Sequence, residues 1–271
     1  MLEQEGLLRR FDGRGLIVGD AEPVRVKLVP EALGLGDSAQ VLVKSFAWQS
    51  FYYDFEREIT LRSILGRFKI NELALARHYG VGRTVARDLL LRTQLTGLVE
   101  KGESGRWWIV PLDEKRFENL YELRLLLEPV ALRTAVEAIP DDVLESFRAR
   151  LIAADNRFPD VDQAELDQLE NDLHVECLGF TSNTEVFEAL RRSRCILIAG
   201  KHIQTALART PKVDPFMDEH LEIFNAVSRK KPDEASALLF NHLISSSIKA
   251  QERLALFRNM PPPDMQSYIS N

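Results

Sequence analysis

Two cysteines, Cys177 and Cys195, are all that 271 residues offer. That is too few for a disulfide framework and suits a reducing compartment. No uninterrupted apolar run reaches bilayer-spanning length. The opening Met1-Leu2-Glu3-Gln4-Glu5 is acidic and has no apolar signal-peptide core. The expectation is a cytoplasmic protein with no membrane partner. Catalytic signatures are missing too. There is no His-Glu-x-x-His, no glycine-rich phosphate loop and no Ser-His-Asp arrangement of known type, which speaks against an enzyme, a metal-dependent one included. A net charge of −6 argues against nonspecific coating of nucleic acid.

The charge that is present is uneven. Residues 56–116 carry 12 basic against 8 acidic side chains, whereas the flanking segments are both net acidic. A basic island between acidic flanks fits one module that meets phosphate and others that do not. With 45% hydrophobic residues the chain can fill more than one core.

Residues 1–48 read as an appendage of unclear fold: Gly15 to Asp20 suits a short strand or turn, Pro23 to Leu33 mixes two periods, and Gly34, Gly36 and Asp37 break the chain. From Gln49 to Leu65, Phe51, Tyr52, Phe55, Ile59 and Ile64 follow helical spacing. A short helix over Ile70–Tyr79 ends at Gly80, and a third runs from Arg83 to Thr96, with Val85, Leu89, Leu90 and Leu95 inward. Leu98–Lys101, a loop with two glycines, and Arg106–Val110 read as a β-hairpin. That order predicts a winged helix-turn-helix over 49–112. Beyond Pro111 only helical patterns appear, near 113–138, 141–156, 162–180, 183–208, 214–229 and 232–257, with breaks at Pro140, Pro159, Thr181-Ser182-Asn183, Pro211 and Pro232. The predicted fold is mainly α: the winged domain, then an all-α six-helix bundle over 113–258. The tail 259–271, opening near Pro261-Pro262-Pro263, is expected to be disordered.

In a helix-turn-helix the second helix enters the major groove with its N-terminal side chains at base edges. Here it opens Arg83-Thr84-Val85-Ala86-Arg87. Arg83 and Arg87, four apart on one face, can each donate two hydrogen bonds to guanine, and Thr84 can bond base or phosphate. Lys101 and Arg106 in the hairpin are candidates for contacts to the DNA backbone, which position without specifying. The plainer reading is a solvated arginine face on an ordinary three-helix unit. The turn, the basic helix and the hairpin together favour the DNA-reading one.

Leu75-Ala76-Arg77-His78-Tyr79-Gly80-Val81-Gly82-Arg83-Thr84-Val85-Ala86-Arg87-Asp88-Leu89-Leu90 resembles the DNA-binding signature of GntR-type bacterial regulators. Gly82 replaces the usual serine and Val85 the usual proline, which weakens the N-cap of the reading helix. The resemblance implies operator contacts at Arg83, Thr84 and Arg87. Trp107 and Trp108 stand where small residues are commoner, and can serve as packing against the helical domain instead of DNA contacts. Further on, Tyr121-Glu122-Leu123-Arg124-Leu125-Leu126-Leu127-Glu128-Pro129 resembles the opening helix of the FadR-type ligand-sensing FCD domain, and six helices point to its VanR-like branch.

Many FCD domains hold a metal through an aspartate, a histidine four residues later and two later histidines. The matching positions are Glu170, His174, His220 and His242, with glutamate in the aspartate's place. Independently of the resemblance, these three histidines fall on predicted helices that can share one core, and Glu170 and His174 form an i, i+4 pair. Such ligands suit zinc, nickel or manganese. Asp172 lies about 200° around the helix from His174 and is a poorer ligand, and Cys177 is a substitute ligand or plain core filling. His78 and His202 read as structural or surface residues. The resemblance gives Arg124 an anionic effector to hold, while a salt bridge with Glu122 or Glu128 explains it equally well. The implied partners are a palindromic double-stranded operator, a small effector such as an organic acid, and a second copy in a homodimer. A metal-free effector pocket is the alternative.

Overall fold

A computed structural model describes residues 2–3, 5–10, 16–18, 48–207 and 215–271. The chain forms two compact units, Met1–Phe46 and Ala47–Asn271. In the first, β1 (Leu8–Arg10) pairs antiparallel with β2 (Leu16–Val18), with Arg9 opposite Ile17. The mixed pattern at Pro23–Leu33 and the glycines after it lie outside the described residues, as does Pro211.

The second unit begins with the winged helix-turn-helix. Helix α1 (Gln49–Ser63) buries Phe55 and Ile59, and leads to strand β3 (Phe68–Ile70). Asn71 then caps α2 (Glu72–His78): its Oδ1 accepts the N–H of Leu73 and of Ala74, both at 3.0 Å, pairing two donors a helix start leaves unmade. Helix α3 (Arg83–Leu95) has Gly82 at its N-cap and no side-chain cap bond, as the missing serine predicts. It buries Ala86, Leu89 and Leu90. Strands β4 (Val99–Lys101) and β5 (Trp107–Ile109) form the hairpin, and β5 continues into β3 with Ile70 opposite Trp107.

The tail differs from expectation. Ile269–Ser270 form β6 on the free edge of β3, giving the order β4-β5-β3-β6. Tyr268 and Ile269, 1% and 5% exposed, are buried with the head's core residues. The prolines only span the gap from the preceding helix, and an open strand edge with an apolar dipeptide to cover it outweighs the disorder their composition predicts.

The helical domain comprises α4 (Glu114–Ala135), α5 (Asp141–Asp155), α6 (Gln163–Asn171), α7 (Thr184–Arg191), α8 (Cys195–Leu207), α9 (Phe216–Ser228) and α10 (Pro232–Arg258). These are seven helices among the described residues, where the sequence predicted six. The element expected over 183–208 is interrupted by a 3₁₀ turn at Arg192–Arg194, so the count behind the VanR-like assignment does not hold. The element expected over 162–180 is continuous but changes pitch, becoming a π-helical turn at Asp172–Cys177. Helix α4 packs along α10, and α5 along α9. No helix among the described residues is long and apolar enough to cross a membrane.

A third core cluster joins the two parts of this unit: Leu61 and Ile64 of α1, Phe117 and Tyr121 of α4, Ile196 and Ile203 of α8, and Leu254 and Phe257 of α10. Burying each such side chain is worth about 1.5–3 kcal/mol, so the reading head is packed onto the bundle and not tethered by a loose linker. At the same junction the Cys195 N–H donates to the Thr96 carbonyl, 3.2 Å, and Arg116 donates to the carbonyls of Gly97, Val110 and Pro111.

Gly97 marks how close this approach is. Its φ is +80°, and a Cβ there would lie 2.6 Å from the Arg192 carbonyl oxygen. Gly105, in the hairpin loop, has φ +73°, and a Cβ there would meet only the flexible Lys101 side chain, at 4.0 Å. Gly105→Ala therefore meets only the backbone penalty, about 1 kcal/mol, whereas Gly97→Ala adds a backbone collision and is expected to cost about 2–4 kcal/mol. Urea unfolding of the two variants checks the order; equal losses would mean that the junction yields freely.

Candidate functional site

The first turns of α3 expose Arg83, Thr84 and Arg87. Both arginines lean on one carboxylate: Glu72 Oε1 lies 3.3 Å from Arg83 Nη2, and Glu72 Oε2 lies 3.5 Å from Arg87 Nε. The same carboxylate accepts the Trp107 Nε1 proton at 3.3 Å. Glu72 thus ties the start of α2, the reading helix and the wing, a role that no local sequence signal announced. Lys101 and Arg106 are exposed on the hairpin, Lys101 with its Nζ 5.5 Å from the centre of the Trp107 ring. Trp107 is buried in a core cluster that joins the head's residues to Cys195 of α8, and Trp108 lies beneath the cations of Arg67 and Lys69.

In the bundle the π turn carries His174, α9 carries His220 and α10 carries His242. All three are buried, and a ring nitrogen of each lies within 4.8 Å of the other two. Their orientation is set from behind. His174 Nδ1 is 2.6 Å from Glu128 Oε2, His220 Nδ1 is 2.8 Å from the Phe216 carbonyl, and His242 Nδ1 is 2.8 Å from Glu219 Oε2. Acceptors at every Nδ1 place the proton there and leave each Nε2 with a lone pair. Nε2 of His174 and of His220 is buried without a hydrogen-bond partner, and Nε2 of His242 has only the Ser246 hydroxyl at 3.3 Å.

Burial depresses the pKa of His220 far below the usual histidine value, and the neighbouring His242 and His174 depress it further. Burial also lowers that of His242, against the opposing hydrogen bond that its Nδ1–H donates to Glu219. Burial alone would raise the Glu128 carboxyl, but Arg124 and His174 outweigh it and hold Glu128 ionised. Imidazoles backed by two carboxylates and a backbone carbonyl are a donor set that a borderline divalent ion takes, and two orphaned buried nitrogens are otherwise a cost.

Glu170 stands at the rim, one-third exposed, with Oε2 3.5 Å from His174 Nε2. It lies outside the three-histidine group, within reach of its open side. Asp172 faces away in a two-point bond with Arg150, and Cys177 is buried with its thiol pushed up to about 12 by that burial. Neither joins the centre. Arg124 bonds Glu128 at 2.5 Å, the salt bridge that sequence offered, and it also lines a cavity of about 300 Å³ beside the histidines. Glu170, Lys249 and Arg253 line the same cavity, as do Glu56 of α1 and Thr96 at the end of α3. His202 is buried with Nε2 3.2 Å from Glu56, a structural role at the junction.

Residues 119–245 match the FCD domain. The chain is similar to the Nta operon transcriptional regulator of Aminobacter aminovorans, 25% identical over 175 residues that cover 65% of this chain and 80% of that protein. It is 22% identical over 204 residues to the HTH-type transcriptional regulator YdhC of Bacillus subtilis (strain 168), covering 71% and 87%. Among solved structures, E. coli McbR/YncC matches with a TM-score of 0.58 at 13% identity, over 79% of this chain and 98% of that one. A protein from Rhodococcus sp. RHA1 described as a GntR transcriptional regulator matches with a TM-score of 0.54 at 16% identity, over 76% and 97%. These structural likenesses show a shared fold.

The buried chain Arg124–Glu128–His174 has a measurable cost of disruption. Glu128→Ala leaves the Arg124 guanidinium, 2% exposed, without its partner, and the expected loss is about 3–5 kcal/mol in urea unfolding. A loss below about 1 kcal/mol would mean that water reaches Arg124.

Proposed function

We propose that the chain is a DNA-binding transcriptional regulator of the GntR/FCD type whose helical domain senses a small organic acid at a divalent metal ion. His174, His220 and His242 hold the ion through Nε2, and Glu170 closes from the rim. The ion, zinc, nickel or manganese, supplies open coordination positions for a carboxylate. The observation that carries this reading is the convergence of three anchored imidazoles beside a cavity. Five cationic side chains line that cavity, Arg124, Lys249 and Arg253 among them, against the three carboxylates of Glu56, Asp167 and Glu170, which favours an anionic occupant. Arg124 contributes its charge to the effector while Glu128 fixes its position.

At the other end Arg83, Thr84 and Arg87 read base edges, with Lys101 and Arg106 on the DNA backbone. We place the protein in the cytoplasm as a homodimer on a palindromic operator. Leu126 and Val130 of α4 and Phe240, Ile244 and Ile248 of α10 form exposed i, i+4 rows on two helices packed together, the kind of apolar face a twofold interface covers. The effector alters operator binding to the extent that it prefers one arrangement of the two heads.

Elemental analysis of protein purified without added metal or chelator, beside His220→Ala, tests the centre. Near-stoichiometric metal in the wild type and none in the folded variant is expected; no metal even after loading with zinc, nickel or manganese would leave a regulator with a metal-free pocket. An operator selected from random DNA tests the head. Arg83→Ala or Arg87→Ala is expected to weaken it by about 1–3 kcal/mol and relax one base, whereas equal losses on operator and random DNA would reduce these arginines to phosphate contacts. Ile244→Glu should shift the sedimentation profile from dimer to monomer, and an unchanged profile would place the interface elsewhere.

A further inference from the structure

The segment after α10 leaves the helical bundle and is built into the reading head. On the way, Arg62 Nη2 of α1 donates to the carbonyls of Pro263 and Asp264, at 2.8 and 2.9 Å. Tyr268 then enters the head's core, its ring 5.0 Å from His78, 6.1 Å from Phe55 and 6.2 Å from Tyr79. Its carbonyl accepts the Asn71 N–H at 2.9 Å. In an antiparallel ladder bonded and non-bonded pairs alternate, so the pair Lys69–Ser270 two positions along is again a bonded one.

Asn71 is where these contacts matter. Its N–H is held by the tail, and its side chain starts α2 by capping Leu73 and Ala74. The next residue, Glu72, holds Arg83 and Arg87 of the reading helix. The tail is thus two residues removed, through bonded partners, from both arginines. At its other end it is continuous with α10, which bears His242. The head is attached to the bundle a second time, at β3 and α2, apart from the junction cluster around α1.

We propose that the C-terminal tail is a clamp that positions the helix-turn-helix on the sensing domain, with Tyr268 as its positioning residue. It acts through Asn71 and not by touching DNA. Only the DNA-binding readout below rests on the assignment of α3 as the reading helix.

The test compares three full-length variants by amide hydrogen exchange and by DNA binding. Tyr268→Ala removes the anchor. Ser270→Pro, at an exposed position, removes a ladder donor while leaving the core filled. Tyr268→Phe keeps the ring. In the first two, exchange at residues 68–79 is expected to accelerate at least tenfold while α5 and α9 are unchanged. Affinity for the selected operator should fall about tenfold with affinity for random DNA unaltered, and Tyr268→Phe should behave as wild type. Unchanged exchange at 68–79 in Ser270→Pro overturns the proposal, because the tail then merely adheres. Equal acceleration throughout the bundle also overturns it, by making the tail a general stabiliser. A wild type that selects no operator would sink the DNA-reading assignment, while the exchange comparison still decides the clamp.

Discussion

A guanidinium, a carboxylate and an imidazole, each no more than 3% exposed, are stacked end to end from Arg124 through Glu128 to His174. Removing three polar groups from water is costly, and it is tolerated because they pair with one another, Glu128 accepting from Arg124 Nε and facing His174 Nδ1. The chain fixes α4 against the π turn, sets the face that His174 presents, and keeps Arg124 at the cavity wall. Without it the histidine would have no reason to aim Nε2 at His220 and His242. The other two imidazoles repeat the principle with a backbone carbonyl and with Glu219. The geometry of the centre is therefore set by what lies behind the rings.

The reading head depends on a looser version of the same device. Glu72 is mostly shielded and faces two exposed arginines and an indole N–H. Exposed ion pairs contribute little to stability. Their effect here is orientational: long side chains that would otherwise sample many rotamers are gathered above the first turns of α3, which lowers the entropy cost of meeting a base pair.

The winged head was legible because its signals are local: spacing, glycines at turns and a basic first turn of α3 all fall within a few residues of one another. The histidines were legible by type and by helical placement. Their anchors were not. Glu128 and Glu219 meet His174 and His242 across 46 and 23 residues, and nothing near them in sequence marks the pairing. The split at Arg192–Arg194 has neither proline nor glycine to announce it; it arises where the turn presses on Gly97. The tail misled because three prolines dominate its composition, while its fate depends on Tyr268, Ile269 and a distant open strand edge.

Glu56 and Thr96 belong to the reading head, yet both form part of the cavity wall. The pocket is consequently not a property of the bundle alone, and its shape depends on where the head sits. By thermodynamic reciprocity, whatever a guest does to operator affinity, the operator does to guest affinity by the same factor. Protein free in solution and protein seated on a promoter would then respond to two different guest concentrations. The threshold felt by a gene would then be set on the DNA, and a binding constant measured without DNA would describe a different molecule.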